Sequence, residues 1–258
     1  MPAIPGKILI LGGTSEARML AERLASRHDL NITLSLAGRT ASPARQPVPV
    51  RVGGFGGAAG LAAHLLRERI GALIDATHPY ASVISANAVA AARESNVKFV
   101  ALRRPPWLAA AGDRWTEVST VSEAVQALGK SPRRVFVTLG RNELAPFAAA
   151  PQHNYLIRSV DPVDPPLPLP RVTYVTGRGP FAEAEDRSLM AAHWIDVVVA
   201  KNSGGSATYG KIAAARAVGV EVIMLRRPPV SDAPNVATIE EALAWLDHAL
   251  TSTAVRGV

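Results

Sequence analysis

One segment of this chain occurs twice. Ala90 to Pro106 reads AAARESNVKFVALRRPP, and Ala213 to Pro229 reads AAARAVGVEVIMLRRPP, 123 positions later, with ten of seventeen residues identical. The same offset pairs Gly54 with Gly177, Gly56 with Gly179, and ALIDATH (Ala72 to His78) with IDVVVAK (Ile195 to Lys201). Upstream the offset is 127, matching ILILGGTSE (Ile8 to Glu16) to VFVTLGRNE (Val135 to Glu143). Downstream it is 118, matching VSTVSEAVQAL to VATIEEALAWL. Self-similarity of this extent restricts the chain to two copies of one architecture. The expected division is residues 1–130 and 131–258.

Within each copy, short β-branched runs alternate with helical patterns, which is the signature of a doubly wound parallel sheet. The first copy predicts strands near 7–11, 31–36, 48–52, 72–76 and 97–102. The second predicts them near 134–139, 154–160, 171–176, 195–200 and 220–225. Thr120 stands three residues before Glu123 and Thr238 three before Glu241, so a capping box opens a helix in each copy. DPVDPPLPLP (Asp161 to Pro170) can be neither helix nor central strand and reads as a stiff surface connection. The expected fold class is α/β: two similar Rossmann-like, doubly wound parallel-sheet domains related by internal duplication.

Composition narrows the chemistry. With no cysteine there is no disulfide, thiolate nucleophile or cysteine metal site, and six histidines without an H-x-x-x-H pair argue against a zinc centre. No metal is expected. The apolar runs are too short to cross a bilayer and residues 1–7 do not read as a signal peptide, so no membrane role is expected and the chain is assigned to the cytoplasm. A formal net charge of +7 points to an anionic partner.

In such sheets ligands bind beyond the carboxyl ends of the strands. The first turn, GGTSEA, departs from the G-x-G-x-x-G fingerprint: of its three glycines only Gly12 is in place, Thr14 and Ala17 take the other two positions, and Glu16 puts negative charge where a pyrophosphate would sit. Gly12, Gly13, Thr14 and Ser15 nevertheless suit a phosphate or ribose at a helix start, with Glu16 capping that helix. After the second predicted strand, Arg39 and Thr40 replace the acid of NAD enzymes; a guanidinium there pairs with a 2′-phosphate, which favours NADPH, while a plain loop charge is the alternative. DATHPYAS holds His78, Pro79, Tyr80 and Ala81. His78 and Tyr80 could donate a proton or orient a nicotinamide, or could serve only as cap and packing; Asp75 is expected to brace the turn.

The second copy differs at the matching strand ends. Thr14 becomes Arg141, Phe55 becomes Arg178 and His78 becomes Lys201. The alternative to a basic binding rim is three solvated surface charges. KNSGGSATYGK brings Lys201, Asn202, Ser203, Gly204, Gly205, Thr208 and Lys211 together as a receptor for carboxylate or phosphate, in an order that is not a Walker A loop. The repeated RRPP, Arg103 to Pro106 and Arg226 to Pro229, is read first as an exit from the sheet because both copies keep it.

The set GGTSEAR, DATHPYA, RRPPW and KNSGG…T…K resembles the precorrin-6A reductase family of cobalamin biosynthesis, over Lys7 to about Leu246. The resemblance implies NADPH-dependent reduction of the anionic tetrapyrrole precorrin-6A to precorrin-6B by two Rossmann-like domains with the active site between them. It implies that Gly12 to Glu16 lie close to the cofactor, His78 to Ala81 near the nicotinamide, and the Lys201 to Lys211 motif on the opposing domain. The proton donor stays open among His78, Tyr80, Lys201, water and a substrate carboxylate, and the oligomeric state is unknown. Two rivals remain: a non-catalytic NADP(H)-binding sensor, and a basic nucleic-acid-binding protein. The second is disfavoured by 5% aromatic content and the lack of a basic tail or recognition motif. A short-chain dehydrogenase is excluded, since no tyrosine has lysine four residues on.

Overall fold

The structure is a computed structural model and describes residues 6–38, 45–229 and 232–254. Among the described residues twelve strands form two six-stranded sheets, and the pairings between neighbouring strands are parallel. The first half of the chain runs β1 (Gly6–Leu11), α1 (Ser15–Leu24), β2 (Leu30–Leu36), β3 (Val50–Val52), α2 (Gly57–Arg67), β4 (Ala72–Asp75), α3 (Ser82–Ser95) and β5 (Lys98–Leu102). It continues with β6 (Trp115–Val118) and α4 (Val121–Ala127). The second half repeats the pattern as β7 (Arg134–Val137), β8 (Asn154–Ser159), β9 (Val172–Thr176), α5 (Glu183–Ala192), β10 (Val197–Lys201), α6 (Gly210–Val218), β11 (Glu221–Leu225), β12 (Asn235–Val236) and α7 (Ile239–Ala254). Two short 3-10 turns, Arg141–Glu143 and Ala145–Ala149, stand where the first half has α1. All ten predicted strands are present; the short β6 and β12 are the additions.

Read from one edge, the first sheet is β3-β2-β1-β4-β5-β12 and the second is β9-β8-β7-β10-β11-β6. Each has the 3-2-1-4-5-6 order of a dinucleotide-binding sheet, with its sixth strand supplied by the other half of the sequence. The expected division at residues 130 and 131 is therefore corrected. The compact units are Met1–Arg104 with Pro229–Val258, and Pro105–Pro228. Each copy gives its last strand and helix to the sheet of the other, and both crossings occur inside RRPP. A strand's own pattern says which face is apolar but not which edge it joins, so the local sequence could not reveal the exchange.

The first unit shows why its strands read as continuous apolar runs. Ile8 and Ile10 of β1 pack with Leu20 and Leu24 of α1 and with Ala242 and Leu246 of α7 on one face. Leu9 and Leu11 pack with Leu61 and Leu65 of α2 and Ala88 of α3 on the other. A strand covered on both faces has no solvent side to make polar, and each fully buried leucine or isoleucine contributes about 1.5–3 kcal/mol. In the second unit Phe136, Leu156, Val198 and Met224 of the sheet pack against Met190 of α5 and Ile212 of α6.

The helix ends obey local chemistry. Thr14 caps α1 by accepting from the Ala17 N–H at 3.1 Å, and Thr120 and Thr238 accept from the Glu123 and Glu241 N–H groups at 3.1 Å. The helices α3 and α6 both end on a left-handed residue, Asn96 at φ 53° and Gly219 at φ 70°, 123 positions apart. Pro79 lies in a turn ahead of α3, which opens at Ser82.

Candidate active site

In the first unit the carboxyl ends of β1 to β4 surround a cavity of about 180 Å³. Leu11 ends β1 and Gly12 follows it, Ser35 and Ala37 close β2, Gly53 to Gly57 follow β3, Thr77 follows β4, and Leu61 of α2 with Ile84 and Asn87 of α3 complete the wall. The sequence reading reaches the loop at residues 53–57 only through the repeat, as the partners of Gly177, Arg178 and Gly179. Its signal was there, four glycines in five residues directly after a strand. Gly53, Gly56 and Gly57 have φ of +115°, +84° and +83°, and a Cβ on any of them, or on Gly54, would meet nothing within 4 Å. The backbone here faces room for a ligand. Gly12 differs: a Cβ there would stand 2.6 Å from Leu34 Cδ1, so it is glycine for packing.

The matching place in the second unit is filled. In β2, Ser35 pairs with Leu11, and the 127 offset together with the β7–β8 register puts Arg158 at the same place. Arg158 is ion-paired with buried Asp186 of α5, and its guanidinium lies 3.7 Å from the Phe181 ring centroid. That ring covers Gly177 and Gly179, whose Cβ positions would lie 3.2 and 3.5 Å from its atoms. The counterparts Gly54 and Gly56 face open space. The duplicated pocket thus survives in one unit and is plugged by an arginine, a carboxylate and an aromatic ring in the other.

Glu16 now has an explanation. It is ion-paired with Arg104, so the first turn of α1 does not present an uncompensated negative charge. Thr14 also donates to the Ala76 carbonyl at 2.8 Å, which ties the β1 turn to the end of β4, and Ser15 donates to Glu16 at 3.1 Å. Gly13 makes the turn at φ +117°. The first intrahelical bond comes from the Arg18 N–H, so the N–H groups of Ser15 and Glu16 precede the ladder and suit an anion. Arg39 and Thr40 lie outside the described residues.

Arg103, the neighbour of Arg104, holds the next turn. It is ion-paired with the fully buried Asp75, donates to Ser85 Oγ at 2.6 Å, and reaches the carbonyls of Asp75 and Thr77 at 3.3 Å. Asp75 Oδ1 also accepts from the Thr77 N–H at 3.1 Å and from Thr77 Oγ1 at 2.6 Å. Asp75 therefore braces the turn. Beyond it His78 Nδ1 accepts from the Tyr80 N–H at 3.3 Å, which puts the proton of a neutral imidazole on Nε2. The His78 and Tyr80 rings stand 5.5 Å apart, and Ala81 donates to the His78 carbonyl at 2.7 Å. Pro79 borders a small polar hollow with Thr14, Glu16, Thr77 and Arg104.

In the second unit Arg141 and Arg178 follow β7 and β9 and Lys201 is the last residue of β10, all at the carboxyl edge of one sheet, with the two arginines exposed. Lys201 is ion-paired with Glu143, the counterpart of Glu16. The KNSGG motif turns out to be committed to the chain entering from the crossing. Asn202 accepts from the Trp107 N–H at 2.7 Å and donates to the Trp107 carbonyl at 2.8 Å, while Trp107 Nε1 donates to the Gly205 carbonyl at 2.8 Å. Gly204 has φ +66°, and a Cβ there would overlap the Pro105 carbonyl and the Arg227 guanidinium. Arg227 donates to the carbonyls of Asn202 and Ser203 at 2.9 and 3.0 Å. Lys211 is buried, donates to the Thr208 carbonyl at 2.7 Å and faces the Trp107 ring at 5.4 Å. Asn202, Gly204 and Lys211, read from the sequence as part of an anion receptor, lie against the PPW segment. Their polar groups hold the PPW segment, because a buried lysine or amide takes the partners within reach.

Among the described residues no group of histidines, acids or cysteines could hold a metal ion, and no helix is long and apolar enough to cross a membrane. Comparison with known proteins agrees with this architecture. The family model described as Precorrin-6x reductase CbiJ/CobK matches residues 7–247. The chain belongs to that family. A precorrin-6A reductase of Sinorhizobium sp is 57% identical over 94% of this chain and 93% of its own length. That of Rhodobacter capsulatus is 48% identical over 96% and 99%. A solved structure titled CobK precorrin-6A reductase superposes with a TM-score of 0.91 at 48% identity, covering 95% of this chain and 97% of its own. The family reduces precorrin-6A in cobalamin biosynthesis, so the chain is an oxidoreductase and its substrate is a tetrapyrrole precursor.

Proposed function

We propose that this chain reduces precorrin-6A to precorrin-6B in the cytoplasm with NADPH, held by the first unit, and takes the acidic macrocycle through the second unit's carboxyl edge. The observation that carries the assignment of units is the contrast at one register position: Ser35 beside an open glycine-walled cavity, against Arg158 sealed to Asp186 beneath Phe181. The residues present fit a dinucleotide. A mainly apolar cavity takes a flat base, the start of α1 offers N–H groups to phosphate, and Arg39 follows β2 for a 2′-phosphate. Bound there, the cofactor supplies the hydride.

The protein's part is to position groups and handle charge. Arg103 and Asp75 fix the turn that carries His78, and His78 holds a transferable proton at Nε2. Tyr80 shares that turn as a second donor. Arg141, Arg178 and Lys201 offer cations to the acetate and propionate groups of the macrocycle, with Glu143 keeping the Lys201 ammonium in place until a substrate carboxylate competes for it. The test follows NADPH absorbance with precorrin-6A, comparing NADPH with NADH in Arg39→Ala. NADPH affinity is expected to fall while NADH is unchanged; equal loss for both rejects the 2′-phosphate assignment. A chain that binds NADPH but never oxidises it with the tetrapyrrole would be a sensor.

A further inference from the structure

The loop at residues 53–57 is costly to order. Four of its five residues are glycine, and three of those hold φ between +83° and +115°. Glycine loses more backbone freedom on ordering than any other residue, so this wall would be loose unless something holds it. The structure provides that tie from one side chain. Arg51, on edge strand β3, donates through Nη1 to the Gly53 carbonyl at 2.5 Å and through Nη2 to the Gly54 carbonyl at 2.7 Å. The same guanidinium lies 3.7 Å from the Phe55 ring centroid. Phe55 also meets the His64 ring of α2 at 5.0 Å, and Gly60 has no Cβ to collide with the Phe55 carbonyl. One planar cation therefore fixes two carbonyls and one ring of a five-residue loop.

We propose that Arg51 is a positioning residue for the cofactor: it holds the glycine loop as the wall against which the adenine end of NADPH packs. The inference rests on the placement of NADPH in the first unit and goes beyond it by naming which half of the cofactor meets this wall, and through which residue. The adenine end is chosen because the cavity lies at the carboxyl ends of β2 and β3, the part of a dinucleotide-binding sheet that receives the adenosine ribose. Arg51 itself turns away to the loop carbonyls, so it acts through the loop and not by touching the ligand.

Calorimetric titration of the full chain with NADPH, 2′,5′-ADP and reduced nicotinamide mononucleotide tests this, alongside steady-state kinetics. Arg51→Ala should weaken NADPH and 2′,5′-ADP about ten-fold each, leave the mononucleotide unchanged, and raise KM for NADPH with kcat at saturation within two-fold. Arg51→Lys should recover little, since an ammonium cannot span two carbonyls and stack. Where Arg51→Ala melts too low to assay, Phe55→Leu keeps the apolar bulk, removes the stacked ring and should weaken 2′,5′-ADP several-fold. Unchanged 2′,5′-ADP binding in a folded Arg51→Ala chain overturns the inference alone, as does an equal loss of mononucleotide binding. Failure of the unaltered chain to bind NADPH overturns the cofactor assignment, and this inference with it.

Discussion

Asp75→Ala is the sharpest test of how the site is held. The Asp75 side chain is 0% exposed and that of Arg103 is 11% exposed, so the mutation removes one partner of a buried ion pair and leaves the guanidinium short of its counter-charge. Breaking such a pair from one side costs about 3–5 kcal/mol, because the desolvation of the remaining charge is no longer offset. The two hydrogen bonds from Thr77 to Asp75 Oδ1 disappear as well, so the upper half of that range is expected. In a protein of this size each kcal/mol moves the midpoint by about 2–4 °C, which puts the loss in the first unit's transition at roughly 8–20 °C. Thermal denaturation by circular dichroism measures it. The partner experiment is the cycle of Asp75→Leu, Arg103→Leu and the double variant, in which the double leaves no orphaned charge and should lose less than the two singles summed, an interaction of at least about 1 kcal/mol. A single variant losing less than about 1 kcal/mol, or strictly additive effects, would refute the argument that this pair braces the turn.

Other outcomes follow from the same geometry. Gly204→Ala should cost at least about 2 kcal/mol, since a Cβ at φ +66° is strained and meets the Pro105 carbonyl; a neutral effect in urea unfolding would show that the PPW segment yields. His153 is fully buried, and burial lowers its pKa from the usual 6.5 while Nδ1 accepts from the Arg133 N–H. Because the unfolded chain then binds the extra proton first, stability should fall as pH drops below about 6.5, by at most about 1.4 kcal/mol per unit from this group. His153→Asn should flatten that part of the profile, and equal slopes in both proteins would count against it. Lys201→Ala should raise KM for the tetrapyrrole and leave NADPH affinity alone; the opposite pattern would mean the units have been assigned the wrong way round. His78→Gln should lower kcat without weakening NADPH, and an unaltered kcat would transfer the proton to another donor.

Much of this was legible in the residues because it depends on near neighbours. Apolar runs covered on both faces predict strands, threonine three residues before glutamate predicts a helix start, and the repeat predicts that the second half follows the first. GGTSEA, DATHPY and KNSGG stand out because strand ends in such sheets bear ligands. The glycine loop at residues 53–57 offers sequence reasoning no side-chain chemistry; its meaning is the space beside it.

Tertiary structure alone decided the rest. The exchange of β6 and β12 between the sheets rests on strands of four and two residues, too short to specify a partner, delivered by Pro-Pro exits to an edge that the local pattern cannot name. The fate of each charge was equally non-local. Glu16 met Arg104 across 88 positions, Asn202 met Trp107 across 95, and Arg158 closed a pocket that Ser35 leaves open. The sequence by itself determined two related sheets and the family's motifs. Which copy kept its cavity, and which of its polar residues were consumed in holding loops, was settled by packing, since a buried charge or amide must take whatever partner the fold brings within hydrogen-bond reach.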